Sequence, residues 1–369
     1  MENSIKIISD GNVLKLAGRL EGNGIAGLET AMCADNIYTL DFTEVSSVNF
    51  AALRALLNLR KSGKKFGVVN ASNEVAEFFE DTGVSSFITV CRKPKPLDMS
   101  KYIEFGQSYL SKAYNSTDGD SMIKVYGENV PREVVEREKT VAKAVMLFGI
   151  PTPLVGSLYV DGNFKGLDFE RIEGKRSFSR IISEEPERLE EMTVRFARMC
   201  KELHSKECDT TVFADKTFFY RQTILNCKEI TDEERKKALA FLDSVPARTT
   251  CLHGDMQLSN VITNGKEDLW IDLSDFGYGN PMFDMGMWYF LARLNAPHLT
   301  ENLFHFGPDT MDKIWPIFIR EYFGADTPEE QAEVNARIVP FAALHMLYIG
   351  TVYGFVPGMV DYVREQILK

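Results

Sequence analysis

The chain has 369 residues, 44% of them hydrophobic and 26% charged, enough for two or three globular domains with apolar cores. A net charge of −11 excludes a general nucleic-acid binder, which needs a basic face. The six cysteines, at positions 33, 91, 200, 208, 227 and 251, form no C-x-x-C pair, so no zinc or redox signature arises and a reduced, cytoplasmic setting is expected.

The opening MENSIKIISDGN lacks the basic-then-apolar pattern of a secretory signal. Ile5, Ile7, Val13, Leu14 and Leu16 predict two strands around an Asp10-Gly11-Asn12 turn. A short helix is expected over Ile25–Ala34, a strand over Tyr38–Phe42, then a loop, TEVSSVN, and a helix from about Phe50. Leu53, Leu56 and Leu57 mark the apolar face of that helix. Next come a strand at Phe66–Val69, a helix around Val75, Phe78 and Phe79, and a strand at Phe87–Val90. Strands alternating with helices imply a small α/β sandwich on a mixed sheet.

Residues 1–97 hold 11 acidic and 11 basic side chains, so the whole negative charge belongs to residues 98–369. The shift coincides with KPKPLDMS, whose prolines stop any helix. A domain boundary is expected there. The N-terminal order resembles a STAS domain, the fold of anti-sigma factor antagonists. The family carries a phosphorylated serine where the loop meets the helix, but here the stretch reads Asn49-Phe50-Ala51-Ala52-Leu53, with Ala51 in the serine's place. The resemblance therefore implies regulation or docking of a protein partner, without phospho-switching at that position. Ser46 and Ser47 read as ordinary loop serines.

Downstream, Ser121–Tyr126 is an apolar strand with one lysine, Lys124. A lysine there wants anionic partners, which a phosphate and a helix glutamate supply. The helix after it carries Glu136 and Glu138 and ends at Gly149. A hairpin over Ser157–Ile172 leads to Glu173-Gly174, and Leu189–Cys208 reads as an amphipathic helix.

The densest chemistry lies in Cys251–Asp284. His253-Gly254-Asp255 is followed five residues after the aspartate by Asn260. Asn264-Gly265 then predicts a tight hairpin turn, and Asp272 terminates the second strand. Phosphoryl transfer needs such a set. One carboxylate orients the attacking hydroxyl, while a second carboxylate and an amide oxygen hold Mg²⁺ against the phosphates. Asp255 to Asn260 has the spacing of the protein-kinase catalytic loop. Asp275-Phe276-Gly277 spells the kinase metal motif, but Asp272 is the aspartate at the strand end and is preferred for metal, with Asp275 left a structural role.

HGDMQLSN, IDLSDFGYGNP and MFDMG resemble the motifs of aminoglycoside phosphotransferase and choline kinase-type enzymes, over about residues 100–369. Asn280 departs from that pattern, standing where the family has aspartate. The resemblance implies a bilobal protein-kinase-like fold after the STAS-type sandwich, with a nucleotide-clasping lobe over 98–174 and a catalytic and helical lobe over 175–369. It implies Asp255 as catalytic base, Asn260 and Asp272 as Mg²⁺ ligands, Asp284 as structural, and Glu138 as the partner of Lys124. Adenine contacts are expected near the Glu170 carbonyl and the Ile172 amide, and phosphate cover from Phe105–Tyr114 with Ser108 and Ser111. His204 is expected to be structural, while Lys216 and Arg221 receive no role. ATP or GTP is the implied donor.

Residues 281–369 are net −5, with 11 acidic side chains. Most suit a solvated helix surface, but an acidic wall would favour a cationic acceptor such as an amino sugar or amino alcohol. Pro340–Val360 lacks charge over a membrane-spanning length, yet its glycines, prolines and His345 suit a buried helix pair better than a span. The leading expectation is a nucleotide-dependent phosphotransferase acting on a hydroxyl of a small acceptor, with no nucleic-acid or membrane partner. The alternatives are a signalling protein with a weakly active kinase-like module, and a serine kinase of a sigma-regulatory protein.

Overall fold

Gly11, at φ 58°, turns strand β1 (Lys6–Asp10) back along β2 (Val13–Leu20). This hairpin opens the computed structural model, which describes residues 5–32, 36–93, 97–107, 110–117, 119, 121–161 and 163–368. The chain divides into two units, Met1–Leu97 with Tyr159–Asn163, and Asp98–Leu158 with Phe164–Lys369.

In the first unit, α1 (Ala26–Ala31) precedes β3 (Ile37–Val48), α2 (Phe50–Lys61), β4 (Lys65–Ala71), α3 (Asn73–Asp81) and β5 (Val90–Arg92). The sheet order is β1-β2-β3-β4-β5, parallel from β2 onward, so the sheet is mixed. Asn49 caps α2 by accepting from the Ala52 N–H at 2.9 Å, and Arg60 and Lys61 sit in its last turn, where cations suit the dipole. Leu53, Leu56 and Leu59 bury one helical face among Leu14, Leu40, Phe42, Val68 and Phe79.

Two expectations change here. Thr43–Val48 of TEVSSVN form the second half of β3, where Val45 is buried and register shifts against β2 accommodate the extra length, and only Asn49 lies beyond it as the cap of α2. The last strand begins at Val90, and Phe87 is exposed after a 3₁₀ turn at Val84–Ser86. Ser46 and Ser47 are exposed on β3, and Ala51 is exposed in the first turn of α2.

The second unit begins with β6 (Tyr102–Gln107), β7 (Ser111–Ser116) and β8 (Ser121–Tyr126), followed by α4 (Arg132–Leu147), β9 (Val155–Asp161), whose residues from Tyr159 are grouped with the first unit, and β10 (Phe164–Glu170). The sheet order is β6-β7-β8-β10-β9. The expected phosphate-covering loop is thus largely a hairpin, and Ser108 lies outside the described residues. α4 buries Val135, Glu138, Val141, Ala142 and Val145, a 3–4 spacing that places Glu138 on its inner face.

The rest comprises β11 (Arg176–Ser177), α5 (Phe178–Glu184), α6 (Leu189–Leu203), β12 (Ala214–Asp215), α7 (Lys216–Asn226), α8 (Asp232–Ser244), β13 (Thr250–Leu252), β14 (Val261–Thr263), β15 (Asp268–Trp270) and β16 (Gly277–Gly279). Helices α9 (Met282–Tyr289), α10 (Pro297–Phe304), α11 (Pro308–Phe323), α12 (Pro328–Tyr353) and α13 (Met359–Ile367) complete it. Two three-stranded sheets, β11-β14-β15 and β12-β16-β13, hold the catalytic-type loop between them in sequence. The hairpin turn is longer than a two-residue Asn-Gly turn. Thr263 pairs with Asp268, and the Asn264 side chain accepts from the Lys266 and Glu267 N–H groups.

Phe196, Trp270, Trp288 and Phe318 centre the core, with Phe196 and Trp288 ring centroids 5.3 Å apart. Among the described residues α12 is the one helix long and apolar enough to cross a membrane by length and composition. Here it is a core helix, burying Ala342, Ala343, Leu344, His345 and Leu347. Gly286 of α9 allows its approach, because a Cβ there would stand 2.4 Å from the Phe341 carbonyl carbon. The expected helix pair breaks at Gly354 and resumes as α13.

Candidate active site

Lys124 projects from β8, and its ammonium donates to Glu138 Oε1 of α4 at 2.9 Å and to Asp272 Oδ1 at 2.8 Å. Burial favours the neutral amine, but the Asp272 and Glu138 charges outweigh it and raise the pKa. In return Lys124 holds the Asp272 carboxyl below its ordinary range. Glu136 instead pairs with Arg132 one turn away, at 2.8 Å. Asp272 follows β15 with φ 57° and ψ 56°, a left-handed conformation that costs a non-glycine residue about 1–3 kcal/mol.

These three groups line a cleft of about 240 Å³ with Phe105, Gln107, Ser111, Met122 and Lys175. Lys175 was not singled out by its sequence. Its ammonium lies 3.5 Å from Met122 Sδ and 5.1 Å from the Phe105 ring centroid, and burial, then Arg171, lower its pKa. The residue comes directly after Gly174, and only its contacts with Phe105 of β6 and Met122 of β8 reveal its place. Glu170 and Ile172 stand apart from this lining. The Glu170 carboxylate accepts from the Leu154 N–H at 3.1 Å, while Ile172 packs with Ile262 and Leu269.

The loop after β13 is held by buried polar contacts. The Asp284 carboxylate accepts from the His253 N–H at 2.7 Å, the Gly254 N–H at 2.9 Å and His204 Nε2 at 3.1 Å. Burial works to raise the Asp284 pKa, yet the His204 contact and the other donors leave it lowered. His204 is fixed in turn by the Tyr322 hydroxyl, 2.7 Å from Nδ1. His253 accepts the Asp255 N–H at Nδ1, 3.2 Å away, so Nε2 carries the proton and donates to the Ile271 carbonyl at 3.1 Å. Burial lowers its pKa and keeps it neutral. One imidazole thus ties the residue before Asp272 to the backbone of Asp255.

The Asp255 carboxylate accepts from Asn260 Nδ2 at 2.8 Å and from Gln257 Nε2, 3.2 Å from each oxygen. Burial is the main reason its pKa is pushed up to about 6. Asn260 also donates to the Asp255 carbonyl at 2.8 Å, so its amide oxygen is the group left for a ligand. Gln257 was missed by the sequence reading, because only the folded loop turns its amide onto Asp255.

Asp255 lines a second cavity, of about 230 Å³, with Lys216, Tyr220, Gln257, Asp275, Tyr348 and others. Asp272 and Asp275 therefore face different spaces. Of the 11 carboxylates in residues 281–369 only Asp284 lines this cavity, beside Asp255 and Asp275, so the helical region builds no acidic wall here, as the solvated-surface reading of its charge expects. The others are spread along a helical surface. Arg221 forms an ion pair with Asp243. Among the described residues no cluster of three His, Cys, Asp or Glu side chains could hold a metal.

No curated protein matches the chain by sequence. Among solved structures it is similar to a choline/ethanolamine kinase family protein from Mesorhizobium loti, at 17% identity over 72% of this chain and 85% of that one, with a TM-score of 0.44. It is also similar to an aminoglycoside-3'-phosphotransferase of type VIII, at 20% identity, 67% and 94% coverage and a TM-score of 0.45. The aminoglycoside phosphotransferase APH(3'')-Id from Streptomyces rimosus gives 18%, 75% and 99%, with a TM-score of 0.45. The profile of the APH family, described as the phosphotransferase enzyme family, matches residues 105–313, more than half of the chain, and the protein belongs to that family.

Proposed function

We propose that this phosphotransferase moves the γ-phosphoryl group of ATP or GTP to a hydroxyl of a small molecule. The observation that carries the reading is the joint placement of two sets of groups. Lys124, Glu138 and Asp272 meet in one cleft, and Asp255 is held by Asn260 and Gln257 in a cavity of its own. The cleft would take the nucleotide, with Lys124 on its phosphates and Glu138 keeping the lysine in place. The adenine would have to extend from the cleft toward the backbone near Glu170 and Ile172, which lies outside its lining.

Asp255 would accept the proton of the acceptor hydroxyl as that oxygen bonds to the γ-phosphorus. The bond from phosphorus to the β–γ bridging oxygen breaks, and the nucleoside diphosphate leaves with the electron pair. The donor set suits Mg²⁺, which binds one or two protein oxygens and completes its shell with phosphate and water. Asn260 and Asp272 would hold it, and when bound it neutralises charge on the phosphates. Such a site needs no cluster of three side chains.

For residues 1–97 we propose a regulatory or docking role toward a protein partner. Ala51 at the first turn of α2 leaves no acceptor hydroxyl at the position implied by the STAS resemblance. A turnover screen with labelled nucleotide against amino sugars, amino alcohols, sugars, hydroxy acids, nucleosides and STAS-pathway proteins tests the reading. Transfer to at least one of the small molecules is expected. Transfer only to a protein would replace this reading with that of a protein kinase.

A further inference from the structure

Lys216 is the first residue of α7, and the parallel pairing of β12 with β16 sets it beside Gly254. Two glycines make room for it. A Cβ at Gly254 would stand 2.8 Å from the Lys216 ammonium, and a Cβ at Gly277 would stand 3.2 Å from its Cε. The side chain is 9% exposed, and among the described residues it makes no hydrogen bond. Its nearest carboxylate oxygen, Asp275 Oδ1, is 3.9 Å away, and the Phe219 ring centroid is at 5.1 Å.

The other charged groups around it are Asp284, Asp255 and Arg137. Asp284 is spent on His204 and two backbone N–H groups, and Asp255 is held by Asn260 and Gln257. A buried ammonium with three donors and no acceptor is costly unless something completes it. In the same cavity the Gln257 Oε1 atom is buried with no hydrogen-bond partner. His345, which also lines the cavity, is kept neutral by burial, which pushes its pKa down to about 3. Among the described residues lining the space in front of Asp255, Lys216 is therefore the one cation.

We propose that the acceptor is a hydroxylated molecule bearing an anionic group, that Lys216 binds that group, and that Gln257 Oε1 accepts from a second hydroxyl. This rests on the reading of Asp255 as the residue that faces the acceptor hydroxyl. It departs from the cationic acceptor suggested by net charge. The carboxylate of a hydroxy acid or the phosphate of a sugar phosphate has the required chemistry, and Tyr220, Tyr348 and Phe219 supply apolar walls.

The test is calorimetric binding, without nucleotide, of two size-matched series to the full chain. Glycerate, glycerol and 2-amino-1,3-propanediol form one, and gluconate, glucose and glucosamine the other. Glycerol 3-phosphate and glucose 6-phosphate separate phosphate from carboxylate recognition. In the wild type at least one anionic member is expected to bind about tenfold or more tighter than its neutral and cationic counterparts. Lys216→Met should erase that preference and leave the neutral members within about twofold.

Tighter binding of a cationic or neutral member, or no binding of any anionic member, overturns the proposal, and the wild type alone decides this if the variant does not fold. An unchanged preference in folded Lys216→Met overturns it too. A loss confined to turnover, equal across acceptors and absent from binding, would assign Lys216 to the transferring phosphoryl group instead. Turnover of any compound in the panel keeps the phosphotransferase reading intact whichever way the preference falls.

Discussion

Lys124 and Asp272 are 148 residues apart in sequence and 2.8 Å apart in space. That ion pair joins a β-sheet lysine to a carboxylate held in left-handed backbone conformation, so each group fixes the other. Asp272→Ala should weaken Mg²⁺-nucleotide affinity by about tenfold or more, the scale of a charged hydrogen bond. Asp275→Ala, facing the other cavity, should change it by no more than about threefold. Calorimetric titration of both variants decides. A larger loss in the Asp275 variant would transfer the metal role to the literal Asp-Phe-Gly sequence.

Lys175 offers a second cation to the same cleft, and its ammonium lies against a thioether and an aromatic ring. Lys175→Met keeps the length and apolar stem but removes the charge. A rise of about tenfold in the nucleotide KM, with kcat little changed, is expected if the ammonium meets a phosphate in ground and transition states alike. An unchanged KM would make Lys175 a packing residue.

Lys124 was legible as a lone lysine in an apolar strand, while the choice of Glu138 over Glu136 came from the family resemblance, and the fold then sets Glu138 on the inner face of α4. The Asp255–Asn260 loop was legible because its groups lie five residues apart. Lys175, Lys216 and Gln257 were not. Lys216 acquires its neighbours from Gly254 and Asp275, dozens of residues further on, and no periodicity encodes that meeting. β3 was read short because serine and threonine between Phe42 and Val48 imitate a loop. Pairing with β2, bulges included, overrides that local preference.

Asp255→Asn should reduce phosphoryl transfer by about 10²–10⁴-fold while nucleotide still binds. In the wild type, kcat should fall as pH drops through about 6, where Asp255 takes up its proton. Stability responds in the opposite sense. Because the folded pKa is raised, the folded state binds more protons than the unfolded chain between about pH 4 and 6, so ionisation of Asp255 costs stability at neutral pH. Asp255→Asn should therefore melt about 2–4 °C higher than wild type at pH 7, with the gain lost below pH 4. Melting curves at both pH values check this.

Asp284 has the opposite character. It is 2% exposed and accepts from two backbone N–H groups and His204. Asp284→Ala would strand those donors, each at about 1–3 kcal/mol, and release the turn that carries Asp255. A fall in melting temperature together with lost transfer is expected. His204→Ala removes one of the three contacts and should give a smaller loss in both. A variant that loses activity at unchanged stability would point to contact between Asp284 and substrate.

The N-terminal 97 residues are expected to regulate or localise the enzyme without joining its chemistry. Every group placed in the cleft or the cavity lies between Phe105 and Tyr353, and the family profile covers residues 105–313. The first unit has its own core, built on Leu14, Leu40, Phe42, Leu56 and Phe79. A chain of residues 98–369 should therefore keep its basal nucleotide hydrolysis within about threefold of the full protein, because no catalytic group is removed. Hydrolysis and melting temperature are measured on both. Apolar surface exposed by the cut would appear as aggregation and a lower melting temperature, which separates a folding defect from a catalytic one. A truncated chain that melts normally and has lost hydrolysis would show that the first unit completes the active site, and the modular reading would fall.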